Sequence, residues 1–164
     1  MKNLILILFI AFAYFIFPAK AAACSCLLKT SPAGVSEAEK SKLMAQEIKL
    51  DFDKTNIVFS GEVIEIVSKG ETETTPADHF EIRLKVQRIW KGINSTEEIK
   101  IATPSSCLRY NFEVGKSFLV YASDDRKTNL LWTNMCAGTL PLESATATDV
   151  LKIIGKGKRV KPKK

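Results

Sequence analysis

The sequence predicts an all-β fold, a small closed barrel of five strands with one helix before them and one after them. The strongest observation is that Phe80 to Trp90 alternates apolar with polar residues, the period-two pattern of a half-buried strand. Four further short apolar runs are separated by Gly, Pro or polar turn residues. Five short strands with regular turn signals favour a small barrel, and the length suits one domain with its own core.

The first predicted element is a helix from Ser36 to Phe52. Ser36 and Glu39 have the spacing of a capping box, which marks a helix start. Apolar residues recur at helical spacing after it, so one face of the helix is expected to pack on the core. That face consists of Leu43, Met44, Ile48 and Phe52.

The strands follow this helix. They are expected at Ile57 to Ser68, Phe80 to Trp90, Ile99 to Thr103, Phe118 to Ala122 and Asn129 to Met135. Gly61 inside the first strand indicates a bulge or a sharp bend, and Arg88 and Ile89 interrupt the alternation of the second. Ser68 to Asp78 is expected to be a long exposed hairpin loop. A last helix, from Glu143 to Ile154, would end at Gly155.

The first 23 residues have the pattern of a secretory signal peptide. Lys2 provides a positive start, Leu4 to Phe17 is almost wholly apolar, and Ala21 and Ala23 have the spacing of a cleavage site. Cleavage there would make Cys24 the first residue of the mature chain. The sequence therefore predicts a secreted protein, extracellular or periplasmic, with no transmembrane span after cleavage.

Two alternatives for this segment are open. A retained membrane anchor is disfavoured because the apolar run has fourteen residues and a span needs about twenty. A bacterial lipoprotein is the stronger alternative, because Ala22-Ala23-Cys24 ends like a lipid-attachment site. Lipidation would use the Cys24 sulfur and leave an odd number of cysteines in an oxidising compartment. Secretion with four paired cysteines is the preferred interpretation.

Charge is distributed unevenly along the mature chain. Residues 24 to 151 contain 15 Lys and Arg against 18 Asp and Glu, a net charge of −3, whereas the last thirteen residues contain seven positive charges and no acid. The domain is therefore predicted over residues 24–154, followed by a disordered basic tail over 155–164. The tail could bind a polyanion or simply increase solubility. An acidic body with no basic stripe argues against a nucleic-acid reader.

Residue patterns that support catalysis are almost absent. The chain has one histidine, His79, so neither a histidine-based zinc site nor a histidine pair can be formed. No nucleophile elbow, phosphate-binding loop or dinucleotide fingerprint occurs. His79 itself is expected to be a solvent-facing strand end. The sequence therefore predicts a protein that is not an enzyme and needs no cofactor.

The four cysteines are the most informative residues. Cys24 and Cys26 are separated by one residue, and Cys107 and Cys136 lie far along the chain. A Cys-x-Cys pair can serve as a redox centre. However, a bridge between such close residues is strained, which favours a long-range partner for each. Four cysteines allow three pairings.

Five motifs, taken in order, carry a resemblance. They are Cys24-Ser25-Cys26, Phe80-Glu81-Ile82-Arg83 leading to Trp90-Lys91-Gly92, Thr103-Pro104-Ser105-Ser106-Cys107, Gly115-Lys116-Ser117-Phe118-Leu119-Val120-Tyr121-Ala122, and Asn134-Met135-Cys136. This series resembles the amino-terminal netrin-like domain of the tissue inhibitor of metalloproteinases family, in a single-domain form of bacterial type. The resemblance covers Cys24 to about Ile154.

The resemblance implies both a fold and a function. The implied fold is a five-stranded OB-type Greek-key barrel with disulfides Cys24–Cys107 and Cys26–Cys136, here with one inserted amino-terminal helix and one carboxy-terminal helix. The implied function is inhibition of zinc metalloendopeptidases, because the backbone amine and carbonyl of the first cysteine chelate the protease's zinc in that family. The implied inhibitory wedge consists of Cys24, Ser25, Cys26, Leu27, Leu28, Ser105 and Ser106.

One alternative function is open. The netrin-like fold is also used by modules that inhibit no protease, and fold does not determine function. The second hypothesis is therefore a secreted or envelope binding module for a glycan or a protein partner. The state of the mature first residue distinguishes the two, since a blocked, lipidated or unprocessed Cys24 cannot chelate zinc.

Overall fold

The computed structural model describes residue 26 and residues 36–94, 97–125 and 130–161 of the chain. The described residues form a mostly β structure with two helices, so the predicted all-β class is confirmed. The elements are α1 (Glu37–Lys54), β1 (Ile57–Lys69), β2 (His79–Lys91), β3 (Glu98–Pro104), β4 (Ser117–Asp125), β5 (Leu130–Trp132), β6 (Leu140–Pro141), α2 (Ala145–Ile154) and β7 (Lys158–Arg159). No helix within these ranges is long and apolar enough to cross a membrane.

Five of the strands close into a ring. β1 and β2 form an antiparallel hairpin joined by a largely exposed loop over residues 70–78, as the sequence predicts. β3 lies antiparallel to β2 and parallel to β5, and β5 lies antiparallel to β4. β4 then pairs with β1, so that Ile57 lies opposite Ala122 and the ring is complete. The fifth predicted strand, Asn129 to Met135, is shorter than expected because the chain turns after Trp132.

The sheet has a hydrophobic cluster on each face. The cluster within the ring takes alternate residues from the strands, because successive side chains of a strand point to opposite faces. Its buried members are Ile57, Phe59, Val63, Ile82, Leu84, Val86, Ile89, Ile101, Phe112, Phe118, Val120 and Ala122. The second cluster comprises Val58, Leu119 and Tyr121 from the other face, together with Val150 of α2. The two helices cover this outer face.

Bulges explain the two irregularities in the strand pattern. The register between β1 and β2 shifts at Gly61, as predicted, and a Cβ there would lie 2.8 Å from the carbonyl oxygen of Lys85. On β2, Gln87 has no opposing residue in β1. One extra residue in a strand moves every later side chain of that strand to the opposite face of the sheet. Ile89 therefore joins Val86 in the ring cluster despite their odd spacing.

Helix α1 packs through its second half. The Ser36 side chain accepts a hydrogen bond from the backbone N of Glu39, which caps the helix as predicted. Ile48 and Phe52 pack on the outer cluster. Leu43 and Met44, expected on the same packed face, are 38% and 54% exposed. The prediction is wrong for these two residues, because the first half of the helix extends beyond the surface that covers its second half.

The carboxy-terminal segment differs from the predicted disordered tail. Helix α2 ends at Gly155 as expected, but residues 155–161 then turn back along β2 and form β7. The backbone of Gly157 has a φ of 60°, which side-chain-bearing residues rarely adopt. Val160 donates its backbone N–H to the Gln87 carbonyl at 3.1 Å and packs on the ring cluster. The contacts of Val160 therefore give this segment a defined structure although its composition, rich in basic residues, predicts disorder. Residues 162–164 lie outside the described residues.

Candidate functional site

The predicted inhibitory wedge falls partly within the described residues. Cys24, Ser25, Leu27 and Leu28 lie outside them. Cys26, Ser105 and Ser106 lie within them, as do the two distant cysteines. The geometry of the site is therefore described from Cys26, the two serines and the two distant cysteines.

Cys26 forms a disulfide with Cys136. Their Cα atoms are 5.3 Å apart, and 110 positions separate them in the sequence. This is the pairing that the family resemblance implies for these two residues. Cys107 is also disulfide-bonded, and its partner lies outside the described residues. The bridge at Cys26 attaches the amino-terminal region to the turn that follows β5.

The serine pair lies in an exposed turn directly after β3. The Ser105 hydroxyl donates a hydrogen bond to the carbonyl oxygen of Asp78 at 2.9 Å, which ties the turn to the start of β2. The Ser106 carbonyl accepts from the backbone N–H of Arg109 at 2.9 Å, and its hydroxyl accepts from Leu108 at 3.4 Å. The turn is therefore held in shape while both serines stay exposed.

A hydrogen bond joins this serine turn, residues 105–108, to the turn that contains Cys136, residues 134–138, which we call the cystine turn. The backbone N–H of Met135 donates to the Leu108 carbonyl at 3.0 Å. Within the cystine turn, the Asn134 side-chain oxygen accepts from the backbone N–H of Cys136 at 2.8 Å. Cys26 is bonded to one turn and the two serines form the other, so the structure brings these predicted site residues to one edge of the ring.

Two apolar side chains at this edge were not predicted as site residues. Leu108 is 36% exposed and Met135 is 41% exposed, although both are large and hydrophobic. Each directly adjoins a disulfide-bonded cysteine in the sequence. That adjacency is the signal that could have identified them, because a short turn held by a bridge has no core in which to bury its neighbours. They give the edge an apolar contact surface.

His79 lies partly buried next to this edge. The prediction that it is a solvent-facing strand end is wrong. Its side chain is 21% exposed, and its ring centroid lies 5.5 Å from that of Trp132. It pairs with Pro104 at the end of β3. The Nε2 atom has no hydrogen-bond partner within the described ranges, and the nearest carboxylate oxygen, on Glu81, is 3.9 Å away. Trp132 covers the histidine because β5 runs beside β3.

A buried hydroxyl network fixes the strands behind the edge. The Thr139 hydroxyl accepts from the backbone N–H of Tyr121 at 3.1 Å and lies 2.8 Å from the Thr133 hydroxyl. Burial, with a smaller contribution from the Asp51 carboxylate, raises the pKa of Tyr121 to about 12. These contacts satisfy polar groups that are costly to bury alone. They tie β4 to the chain on both sides of Cys136.

The groups at this edge are hydroxyls, a disulfide and apolar side chains. In the described part of the chain, no group of three or more His, Cys, Asp or Glu side chains could hold a metal ion. The edge presents two serines, a cystine and two apolar side chains, which are groups that could contact another molecule.

Comparison with known proteins assigns no family. No protein-family model matches the sequence, and no curated protein matches it. The functional interpretation therefore depends on the geometry of this edge and on the pattern of residues that produces it.

Proposed function

We propose that this chain is a secreted inhibitor of zinc metalloendopeptidases, of the type found in the tissue inhibitor of metalloproteinases family. The observation that carries the proposal is the junction between the two turns. Cys26 is bonded to the cystine turn, and the Met135–Leu108 hydrogen bond joins that turn to Ser105 and Ser106. An amino-terminal segment attached there would project next to the serine turn.

The order of the strands supports an OB-type, netrin-like barrel for the ring. Going round the ring, the order is β1, β2, β3, β5, β4 and back to β1, with one parallel pair between β3 and β5. Helix α1 would then be an insertion into this barrel. Fold alone does not establish inhibition.

The proposed mechanism begins at the mature amino terminus. The backbone amine and carbonyl oxygen of Cys24 would bind the protease's zinc and displace the water that the enzyme needs for hydrolysis. An α-amino group has a pKa of about 8, so donation of its lone pair near neutral pH requires little free energy. Cys24 precedes the bridged Cys26 by two residues, which limits its reach from the cystine to about 7 Å. That short tether would hold the chelating atoms close to the edge.

The neighbouring residues would then contact the protease on both sides of its zinc. Ser25 would enter the specificity pocket, and Leu27 and Leu28 would lie along the substrate cleft. Ser105 and Ser106 would contact the opposite side of the cleft, with the exposed apolar side chains of Leu108 and Met135 beside them. Because disulfides and hydrogen bonds hold this edge before binding, little conformational entropy would be lost on association.

The decisive experiment changes only the amino terminus. The mature chain beginning at Cys24 is compared with the same chain carrying one additional alanine before Cys24, on a panel of zinc metalloendopeptidases. We expect inhibition by the first and a loss of at least about a hundredfold in the second, because the amide that replaces the amine is a poor metal ligand. Intact mass confirms both disulfides in each form, and far-ultraviolet circular dichroism confirms the fold.

Equal inhibition by the two forms would contradict zinc chelation by the terminal amine. No inhibition by either form across the panel would contradict the inhibitor proposal itself. The second outcome would favour the alternative of a non-inhibitory binding module for a glycan or a protein partner.

A further inference from the structure

The basic carboxy-terminal segment is a fixed part of the fold. Residues 155–161 follow the edge of β2, and four of their side chains are basic and exposed. We call this set the basic edge; it consists of Lys156, Lys158, Arg159 and Lys161. Basic side chains that only increase solubility need no fixed backbone, so the contacts that hold this segment are informative.

Contacts to β2 hold the segment at both ends. The Trp90 indole N–H donates to the Gly155 carbonyl at 2.8 Å, and Arg88 donates from Nη1 to the Lys156 carbonyl at 2.9 Å. At the far end, Val160 donates to Gln87 and packs on the ring cluster. The basic edge is therefore displayed at a constant position relative to the rest of the molecule.

Within the described ranges, none of the four side chains forms an ion pair with a carboxylate. The rest of the mature chain is acidic, with a net charge of −3 over residues 24–151. The molecule thus has one strongly positive edge on a negative body, and an anionic partner would be oriented by it.

The shape beside the edge indicates which kind of anion fits. In the described part of the chain β7 pairs with β2 alone, so its other edge is covered by no strand. The adjoining groove, of about 1100 Å³, is lined by three carboxylates and four basic side chains, namely Glu62, Glu97, Glu98, Lys85, Arg88, Arg159 and Lys161. These charges nearly balance, so the groove offers an anionic polymer little net attraction. A flat anionic surface would instead meet the exposed basic side chains of the edge.

We propose that the basic edge binds the surface of membranes that contain anionic phospholipids. Each basic side chain near such a surface contributes about fivefold in affinity. Consecutive strand residues such as Lys158 and Arg159 point to opposite faces, so two or three of the four would face the surface and together contribute on the order of twentyfold to a hundredfold. The attraction is electrostatic and falls as salt shortens the Debye length to about 8 Å at physiological ionic strength. This membrane binding would not depend on the edge that carries Cys26, Ser105 and Ser106 or on the inhibition proposed for it.

Charged residues on an exposed sheet edge have a structural explanation as well. Lysines there prevent pairing with a second chain, and a net charge improves solubility. Those roles need neither a fixed geometry nor a lipid. The two explanations differ in one respect, which is whether the position of the charges affects binding to vesicles.

The test measures co-sedimentation of the mature chain with vesicles of phosphatidylglycerol and phosphatidylcholine, and with vesicles of phosphatidylcholine alone. A variant with Lys156→Gln, Lys158→Gln, Arg159→Gln and Lys161→Gln is compared with a control that carries Lys40→Gln, Lys42→Gln, Lys49→Gln and Lys54→Gln on α1. Both variants lose four positive charges. Lys163 and Lys164 remain in both.

We expect the unaltered chain and the α1 control to bind the anionic vesicles at low salt, and the basic-edge variant to bind at least about twentyfold more weakly. Near-ultraviolet circular dichroism of the two tryptophans, one of which is Trp90, checks that the variants keep their fold. An equal loss in both variants, or no binding by the unaltered chain, would overturn the proposal. Strong binding to soluble heparin or DNA without binding to vesicles would also overturn it, in favour of a polymeric anion.

Discussion

Removal of the Cys26–Cys136 bridge tests how strongly the amino-terminal region is attached to the fold. The perturbation is the double replacement Cys26→Ser and Cys136→Ser, which leaves no unpaired thiol from this pair. Cys136 is exposed and Cys26 is half-buried, so two serine side chains at these positions cost little by themselves. The change in stability therefore reports mainly the loss of the cross-link.

The magnitude follows from the sequence separation of 110. In the chain-entropy model, a bridge that closes a loop of this size stabilises the folded state by about 4.7 kcal/mol. If Cys107 is bonded to Cys24, as proposed, the shorter covalent path between Cys26 and Cys136 passes through that bridge and has about 31 residues, which lowers the expected loss to about 3.7 kcal/mol.

Guanidinium unfolding followed by tryptophan fluorescence measures this loss. The free energy of unfolding in water should fall by about 3 to 4 kcal/mol, and the m-value should rise because the unfolded chain becomes more expanded. A fall of less than about 1 kcal/mol, with an unchanged m-value, would refute the idea that the bridge constrains the unfolded chain. Loss of metalloprotease inhibition in a variant that is still folded would further link this bridge to the proposed wedge.

Two other predictions concern Tyr121 and Trp90. Burial, and to a smaller extent Asp51, raises the pKa of Tyr121 to about 12, so the folded state retains this proton longer than the unfolded chain. Its contribution of up to about 2 kcal/mol is complete below pH 10 and disappears as the pH rises through 12; Tyr121→Phe should flatten this alkaline loss in unfolding experiments, and an unchanged profile would contradict it. Trp90→Phe removes the donor to Gly155 and should cost about 1 kcal/mol. Amide hydrogen exchange at Val160 should become faster, and unchanged exchange would show that the indole does not hold the segment.

Much of the ring could be predicted from the sequence because it depends on local patterns. The alternation along β2 and the glycine at position 61 are sufficient to predict a strand and a bulge, and the structure has both. β7 could not be predicted, since its residues are two exposed basic side chains. It forms because Gln87 and Trp90, far away in the sequence, provide the hydrogen-bond partners.

For the candidate site, the sequence identifies the residues but not the contacts between them. Ser105 can be named from its motif, whereas its bond to the Asp78 carbonyl depends on how β2 and β3 pair. The prediction of a solvent-facing His79 is wrong for a similar reason, because Trp132 covers it only where β5 lies beside β3. Leu108 and Met135 resemble ordinary core residues until the turns that carry them are seen at the surface.

The double pairing of β1 has a consequence for the order in which the chain can fold. β1 pairs with β2 in a local hairpin. Its other edge pairs with β4, where Ile57 lies opposite Ala122, and this pairing joins residues far apart in the sequence. Contacts between residues so distant in sequence slow folding. Before β4 pairs with it, β1 has an apolar edge with unpaired backbone groups, and a second copy of the chain can bind to that edge. Efficient production therefore depends on dilute folding or on a chaperone that covers this edge.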